Sequence, residues 1–265
     1  MYHKKIPILM YHALEDEQHP SGQHSDSERV YVLQLQQFQQ QMLYLKTQGF
    51  TPILASQIHQ HDLPKRPIVI TFDDGHVSNF HLALPILLSL NFVATFFITT
   101  GFINQSHYLN PKQIQYLANS GMEIGSHSVS HPFFNDLTAH QARYELSHSK
   151  KQLAYITGQK IETFSAPGGR LHTETYQLAR QQGYKLTFCS KFGLYQNRRV
   201  HSNIPRIAMK FNTSLQDFKQ IVSQNGILFA KKRIMDLGLY TTKKILGNTN
   251  YLKMREFVLH RQKVA

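Results

Sequence analysis

Two adjacent carboxylates and two histidines about fifty residues further along the chain have the residue types of a catalytic metal site. Asp74, His127 and His131 offer one oxygen and two imidazole nitrogens to a divalent ion such as Zn²⁺, which leaves a coordination position open for water. Asp73 then remains as a base that can take a proton from that water. The pattern therefore predicts metal-assisted hydrolysis.

Neither half of this pattern is specific by itself. With sixteen histidines in 265 residues, about one His-x-x-x-His pair is expected by chance, and two surface histidines are the simpler interpretation. Asp-Asp-Gly alone is most often a polar turn after a strand. The combination is more informative, because residues 67–72 predict a buried strand that ends at the aspartates, and residues 122–125 a strand that ends just before His127.

The surrounding segments alternate between strand and helix patterns, which predicts an α/β fold with a parallel sheet wrapped by helices. Catalytic groups of α/β barrels lie at the carboxyl ends of the strands, where both aspartates, both histidines and residues 166–169 fall. We predict strands over 6–11, 67–72, 93–99, 122–125, 162–166, 185–189 and 204–209, and helices over 33–47, 79–90, 111–120, 138–157 and 174–182.

Composition limits the organisation of the chain. A length of 265 residues with 41% hydrophobic content suits one large core with an appendage. Cys189 is the single cysteine, which excludes an internal disulfide and a multi-cysteine zinc site. The apolar run at residues 6–11 is too short for a signal peptide, and no apolar run reaches the roughly twenty residues of a membrane span. We therefore expect a soluble or peripheral, cytoplasmic protein.

The positive charge is concentrated at the C-terminus. Residues 231–265 hold nine lysines and arginines and two acids, a net charge of +7 out of +13 for the whole chain. These bases alternate with apolar residues, as in a basic amphipathic helix on an anionic membrane surface. A helical extension that packs on the barrel with a solvated basic face explains the pattern equally well. We divide the chain into a catalytic domain at 1–228 and a basic helical tail at 229–265.

The order of the motifs resembles a known family. Thr-Phe-Asp-Asp-Gly at 71–75, His-Ser-Val-Ser-His-Pro at 127–132 and Pro-Gly-Gly at 167–169 are similar to the motifs of the polysaccharide deacetylases, also called NodB-like or carbohydrate esterase family four. The resemblance covers roughly residues 6–210. It implies a distorted, incomplete (β/α) barrel and metal-dependent removal of acetyl from N-acetylated sugars. By the same resemblance, Asp73 is the general base, and Asp74, His127 and His131 are the metal ligands.

The chain departs from the family pattern in two places. Where the family's third motif has an arginine that pairs with the catalytic aspartate, this chain has Ser165, and Arg170 and Arg206 are the candidates to replace it. The usual C-terminal Leu-x-His motif, which brings the general acid, has no match. Met10-Tyr11-His12 instead resembles the opening of a branch whose acid motif lies at the front, so His12 is predicted as the general acid. A capping or buried histidine at a strand end is the alternative.

The predicted mechanism uses one divalent metal, most simply Zn²⁺, to polarise the acetamide carbonyl and to activate a water for Asp73. The backbone N–H of Gly168, after Pro167, is predicted to stabilise the oxyanion. Tyr11 and His76 are predicted to line the substrate site or its wall. Ser128 is predicted to hold the loop of residues 127–131, here called the histidine loop, by hydrogen bonding. The predicted substrate is an N-acetylhexosamine of a surface glycan, a lipid-linked sugar or a lipopolysaccharide precursor.

Two other classes of function remain open. A sequence pI near 9.7 invites nucleic-acid binding, but the bases are concentrated in the tail and no nucleic-acid motif is present, so we expect no nucleic-acid partner. A pseudoenzyme that keeps the fold to bind a glycan is the second alternative, because Ser165 removes the usual partner of the base.

Overall fold

A parallel β-sheet of eight strands forms the centre of the fold in the computed structural model, which describes residues 5–23, 25–169, 173–196, 200–224 and a few positions beyond. The strands are β1 Ile8–Tyr11, β2 Ala13–Glu15, β3 Val32–Gln34, β4 Thr51–Ile53, β5 Pro67–Phe72, β6 Thr95–Ile98, β7 Glu123–Ser126, β8 Thr163–Ser165, β9 Leu186–Phe188 and β10 Ile207–Ala208. The helices are α1 Asp26–Arg29, α2 Leu35–Thr47, α3 Leu84–Ser89, α4 Pro111–Asn119, α5 Ala139–Thr157, α6 Thr173–Gln181 and α7 Leu215–Val222.

The large sheet is curled into a half-barrel with the strand order β10-β1-β5-β6-β7-β8-β9, and β4 pairs with the first half of β5. A parallel bridge between Phe188 and Ile204 joins the segment before β10 to β9, while Ile207 pairs with Leu9 of β1. Residues 204–208 therefore run between the two ends of the sheet. Their position brings Arg206 to the barrel interior.

The two faces of each strand pack against different groups of residues, because successive side chains point to opposite sides of a sheet. Ile8, Val69 and Phe97 belong to a small apolar cluster inside the barrel. Their neighbours Leu9 and Ile70 join the larger core under the helices. All six residues of β5 are buried, as expected for a parallel sheet covered on both faces.

Local sequence signals define the helix ends. Asn110 caps α4 by accepting a hydrogen bond from the Gln113 N–H, and Pro111 occupies the first turn, where its missing N–H costs nothing. Thr138 caps α5 in the same way, and Gly158 ends it at φ 69°, a left-handed conformation that favours glycine. These two helices flank β7, the strand that leads into the histidine loop.

The sequence predictions agree with most of the elements. The five predicted helices are present, although residues 79–83 form a π-helical turn before α3. The strand at 67–72 is confirmed at the same bounds, and the strand predicted at 204–209 is shorter, at 207–208. The pattern missed the two-stranded parallel sheet of β2 and β3, strand β4, and helices α1 and α7. Strands of three residues are too short for an alternating pattern to be visible.

The predicted tail at 229–265 lies almost entirely outside the described residues, as does Arg170. Phe229, at its start, packs its ring 5.0 Å from that of Phe192. Among the helices of the described part, none is both long and apolar enough to cross a membrane.

Candidate active site

The carboxyl ends of three parallel strands and the start of a fourth bring the chemical groups together. Asp73 and Asp74 follow β5, His127 follows β7, and His12 follows β1. Arg206 immediately precedes β10. All five side chains line one cavity of about 270 Å³. The sheet thus brings together groups that are far apart in the sequence.

Asp74, His127 and His131 form a group that could hold a metal ion, with one candidate ligand atom from each residue and all three atoms within 4.8 Å of one another. Asp74 Oδ1 lies 3.4 Å from His127 Nε2 and 3.3 Å from His131 Nε2. This oxygen is buried and accepts no hydrogen bond among the described residues. A buried carboxylate oxygen without a donor is costly, and a divalent cation bound between these three atoms would remove that cost. The residues present therefore fit a metal ion.

The backbone of this group adopts unusual conformations. Asp74, Ser128 and His131 have φ angles of 73°, 73° and 59°, and Gly75 has 82°. Positive φ is uncommon for residues other than glycine, and such residues are concentrated at functional sites. Here the conformations turn the Asp74 carboxylate and the His131 imidazole towards the same point.

Hydrogen bonds fix the orientation of the histidine ligands. Nδ1 of His127 lies 2.7 Å from the Ser165 carbonyl oxygen, which can only accept, so Nδ1 carries the proton and Nε2 is left as a ligand. The Ser128 hydroxyl accepts from the His131 N–H, as predicted for this loop. Glu145 on α5 accepts from the Val129 and Ser130 N–H groups at 2.7 and 2.9 Å. The loop is therefore attached to a helix outside the barrel.

The electrostatic environment favours the ligand forms of two residues. Burial lowers the pKa of His127 to about 4, against the opposing effect of Asp73, so its imidazole is neutral near pH 7. Burial raises the pKa of Asp74, but the interactions with His131, His12 and His127 outweigh it and hold the pKa far below its ordinary value. For His131, the effect of Asp74 exceeds that of burial and raises the pKa.

Asp73 forms a buried, two-pronged ion pair with Arg206. The distances are 2.7 Å from Nη1 to Oδ1 and 2.7 Å from Nη2 to Oδ2, and both side chains are at most 3% exposed. Burial raises the pKa of Asp73, but the guanidinium charge and His127 outweigh it and leave the pKa below its ordinary value. Asp73 is therefore ionised at neutral pH, as a general base must be.

Every N–H of the Arg206 guanidinium has an acceptor. Besides the two carboxylate oxygens, it donates to the Cys189 carbonyl, to the Thr71 hydroxyl and to the Ser165 hydroxyl. The Ser165 hydroxyl in turn donates to Asp73 Oδ2 at 3.3 Å. Ser165 thus occupies the sequence position of the family arginine and accepts a hydrogen bond from the arginine that pairs with the base.

His12 lies in the same cavity. Its ring stacks on Tyr31, with centroids 4.6 Å apart, and its backbone carbonyl accepts from the Asn79 amide at 2.7 Å. Nδ1 is buried and has no hydrogen-bond partner among the residues described. Burial lowers the pKa of His12, while the charges of Asp74 and Asp73 act in the opposite direction. A lowered pKa makes the imidazolium a stronger proton donor.

Gly168 also lines the cavity, in the turn that follows β8. Its φ is 62°, and a Cβ at this position would lie 2.5 Å from the Phe133 ring. Only glycine satisfies both the left-handed backbone and this close approach. The aromatic side chain thus packs directly on the backbone next to Pro167.

Comparison with known proteins agrees with this geometry. Residues 60–187 match the family model described as polysaccharide deacetylase. The Bacillus subtilis (strain 168) protein YxkH, whose name assigns it to the polysaccharide deacetylases, is 34% identical over 189 residues, which cover 69% of this chain and 63% of YxkH. This chain belongs to the polysaccharide deacetylase family. It spans less than two thirds of YxkH, and 38% of the poly-beta-1,6-N-acetyl-D-glucosamine N-deacetylase of Escherichia coli (strain K12), to which it is 21% identical.

Solved structures of deacetylases have the same fold. The Streptococcus pyogenes deacetylase PplD, in complex with acetate, superposes with a TM-score of 0.73 and 26% identity, covering 83% of this chain and 99% of that one. The Bacillus anthracis protein BA0330 superposes with a TM-score of 0.74 at 24% identity, over 83% of this chain and 69% of that one. These superpositions confirm the predicted NodB-like half-barrel.

Most of the predicted site residues lie at one cavity. His76 lines the wall, with its ring nitrogens 2.7 Å from the Ser78 hydroxyl and 2.8 Å from the Ser21 carbonyl. Of the two candidate partners of Asp73, Arg206 makes the contact and Arg170 lies outside the described residues. The catalytic roles of these residues remain predictions.

The placement of Tyr11 in the substrate site is wrong. Its side chain is fully buried, and its hydroxyl donates to Gln41 of α2 at 2.7 Å. The reason is the strand alternation: Met10 and His12 point into the cavity, and Tyr11 between them points to the helices.

Several residues at this site carry no recognisable signal in the sequence. The aromatic residues Tyr31, Phe102, Tyr108 and Phe133 all line the cavity. They come from loops without a recognisable motif, and aromatic residues in such loops are equally compatible with a core role. The sequence pattern does not distinguish Glu145, which holds the histidine loop, from other acidic residues on a polar helix face. Only Ser165 had a signal, its departure from the family motif.

Proposed function

We propose that this chain is a metal-dependent N-deacetylase that removes acetyl from an N-acetylhexosamine of a surface glycan. The observation that carries the proposal is the position of Asp73, ionised by Arg206, beside the group of Asp74, His127 and His131. Asp73 Oδ2 lies 3.8 Å from His127 Nε2. A base and a divalent-metal site at this separation are what hydrolysis of an amide requires.

Asp74, His127 and His131 would hold the metal, most simply Zn²⁺, because one oxygen and two imidazole nitrogens are a common catalytic zinc set. When bound, the ion supplies Lewis acidity, which polarises the amide carbonyl and makes water easier to deprotonate. The remaining chemistry belongs to side chains and backbone of the protein.

Asp73 accepts the proton of the attacking water. Oδ1 accepts one hydrogen bond from the described residues, from Arg206, and so retains a lone pair for this proton. The new C–O bond forms as the water oxygen attacks the acetamide carbon. The ion pair with Arg206 keeps Asp73 ionised and makes it a weak base.

His12 donates a proton to the sugar nitrogen as the C–N bond breaks, which releases acetate and an amine. Stacking on Tyr31 and the Asn79 contact hold the imidazole at the cavity wall. The N–H of Gly168 is the proposed donor to the oxyanion, since this residue lines the cavity in the turn that follows β8.

The substrate assignment comes from the relatives and from the charge of the tail. The E. coli relative is named as a deacetylase of poly-beta-1,6-N-acetyl-D-glucosamine, and another relative, from Azorhizobium caulinodans, as a chitooligosaccharide deacetylase. The basic residues after 230 would suit an anionic membrane surface. We accordingly propose a cytoplasmic or membrane-peripheral enzyme that acts on a glycan, a lipid-linked sugar or a lipopolysaccharide precursor.

The test is release of acetate from N-acetylglucosamine oligomers and from a lipid-linked N-acetylhexosamine, by purified protein loaded with Zn²⁺. A chelated sample and the Asp73→Asn variant are the controls. We expect release with Zn²⁺ and its loss in both controls, while Asp73→Asn still binds the metal. No release from either class of substrate by a protein with one bound metal would contradict the proposal.

That negative result would favour the alternative, a glycan-binding pseudoenzyme. Its motivation was the missing arginine at Ser165. The contact of Arg206 with Asp73 removes this motivation, because the base has a charged partner from another part of the chain.

A further inference from the structure

Two aromatic side chains form one wall of the active-site cavity beyond the residues used above. Phe102 and Tyr108, here called the aromatic wall, lie with ring centroids 4.6 Å apart at an angle of 47°. The Phe102 ring is 6.1 Å from the ring of His131, and the Tyr108 ring is 6.0 Å from that of His76. The wall therefore continues directly from a proposed metal ligand.

The aromatic wall is held rigidly by its backbone. Gly101 N–H donates to the Val129 carbonyl in the histidine loop at 2.7 Å, and a Cβ on Gly101 would lie 2.5 Å from that oxygen. Leu109 N–H donates to the Gly75 carbonyl at 3.0 Å. The segment is thus attached to both loops that carry the proposed ligands. A preorganised surface loses little conformational entropy when a ligand binds.

Both rings are partly exposed and face the cavity, and neither is completely buried in the apolar core. The segment from 99 to 109 has no Lys, Arg, Asp or Glu. Gln23 and the Tyr108 hydroxyl add polar groups to the cavity lining beside these rings. An apolar face with polar groups at its edge matches an uncharged pyranose ring, which has C–H faces and a periphery of hydroxyls. A phosphate group would find no lysine or arginine in this segment.

We propose that the aromatic wall is a binding subsite on which a pyranose ring of the substrate glycan stacks. The subsite rests on the proposed function, since it orients the glycan for the groups at Asp73 and Asp74. In this proposal, Phe102 and Tyr108 are the residues that select an uncharged sugar ring. Binding energy gained there would hold the acetamide at the reacting groups.

The test measures binding separately from turnover. In the Asp73→Asn background with Zn²⁺, the affinity for a β-1,6-linked N-acetylglucosamine tetramer is determined by calorimetry. We expect the further substitution Tyr108→Ala to weaken binding about tenfold or more, as for an aromatic residue central to an interface. Tyr108→Phe, which keeps the ring, should stay within about twofold of the parent.

Tyr116→Ala is the matched control, because Tyr116 also packs against an aromatic partner, Phe80, but lies 53% exposed on α4 and does not line the cavity. Zinc affinity, measured in each variant, reports whether the metal group stays intact. Equal tetramer affinity of Tyr108→Ala and the parent would overturn the subsite alone, as would equal losses in Tyr108→Ala and Tyr108→Phe. No tetramer binding by the parent would contradict both the subsite and the proposed function.

Discussion

At the scale of single residues, Arg206 determines the state of Asp73. The pair is almost fully buried, and the guanidinium satisfies two carboxylate oxygens, a carbonyl and two hydroxyls. Arginine suits this position because its planar fork matches a carboxylate in two parallel hydrogen bonds. A lysine has one charged nitrogen and cannot reproduce that arrangement.

We predict that Arg206→Leu lowers the rate of acetate release about 10- to 100-fold, as is usual for loss of a residue that orients a catalytic group. We also expect the free energy of unfolding to fall by about 3 kcal/mol, because the substitution leaves a buried carboxylate without a partner. Urea unfolding and the acetate assay measure the two effects.

A double variant separates charge from chemistry. In Arg206→Leu/Asp73→Asn the buried charge is gone, so much of the lost stability should return, while activity should stay absent. If Arg206→Leu alone is as stable as the parent protein, then the ion pair with Asp73 does not contribute to the free energy of unfolding.

At the scale of elements, the histidine loop is positioned from two sides. Inside the sheet, Ser165 of β8 holds His127 through its backbone carbonyl. Outside the sheet, Glu145 of α5 accepts two backbone N–H groups and the Ser130 hydroxyl. The helix therefore contributes to the metal group without supplying a ligand.

We predict that Glu145→Gln weakens zinc binding about 10- to 100-fold, a range typical of groups that hold metal ligands in place. The substitution removes the carboxylate charge, so the hydrogen bonds from the Val129 and Ser130 N–H groups are no longer charge-assisted and the loop that carries His131 is held less firmly. Competition with a chromogenic chelator gives the affinity.

The matched control makes the same substitution at Glu162, whose carboxylate pairs with Lys185 on the surface at 2.8 Å. Glu162→Gln should leave zinc binding unchanged. Similar zinc affinities for Glu145→Gln and Glu162→Gln would show that the loop keeps its geometry without the anchor.

At the scale of the whole molecule, polar groups also hold the amino end of the sheet, opposite the cavity. Glu123 at the start of β7 accepts hydrogen bonds from the Ser56 N–H and from the Thr95 and Thr163 hydroxyls, at 2.9 to 3.0 Å. Thr95 belongs to β6 and Thr163 to β8. One carboxylate therefore connects three neighbouring strands. Burial raises its pKa above the ordinary 4.5, although these hydrogen bonds act in the opposite direction.

This shift has a defined effect on stability. A carboxyl whose pKa is raised in the folded state holds its proton to higher pH than in the unfolded chain, so its contribution is greatest below pH 4.5 and is lost as the pH rises through the folded pKa. We predict that the stability of the parent relative to Glu123→Gln declines as the pH increases from about 4.5 towards 7. Urea unfolding of both proteins across this range measures the difference, and a constant difference would contradict the raised pKa.

The sequence alone predicted the candidate site residues and determined most of the elements. Asp73, Asp74, His127 and His131 were recognisable because a turn after a buried strand and a histidine pair carry local signals. The helix at 111–119 was predictable because Asn110 and Pro111 define its start within a few residues. Such information lies in short segments, where conformation follows from neighbouring residues.

Only the tertiary structure decided which residues meet. Arg206 lies 133 positions from Asp73 along the chain, and the sequence could not choose between Arg206 and Arg170 as the partner of Asp73. No local signal pairs Tyr31 with His12 or Glu145 with the histidine loop. The sequence also placed Tyr11, next to His12, on the cavity face of β1. In the structure its side chain points to the helices. Parallel strands bring distant segments to one edge, and the alternation of side chains then decides which residues face the cavity.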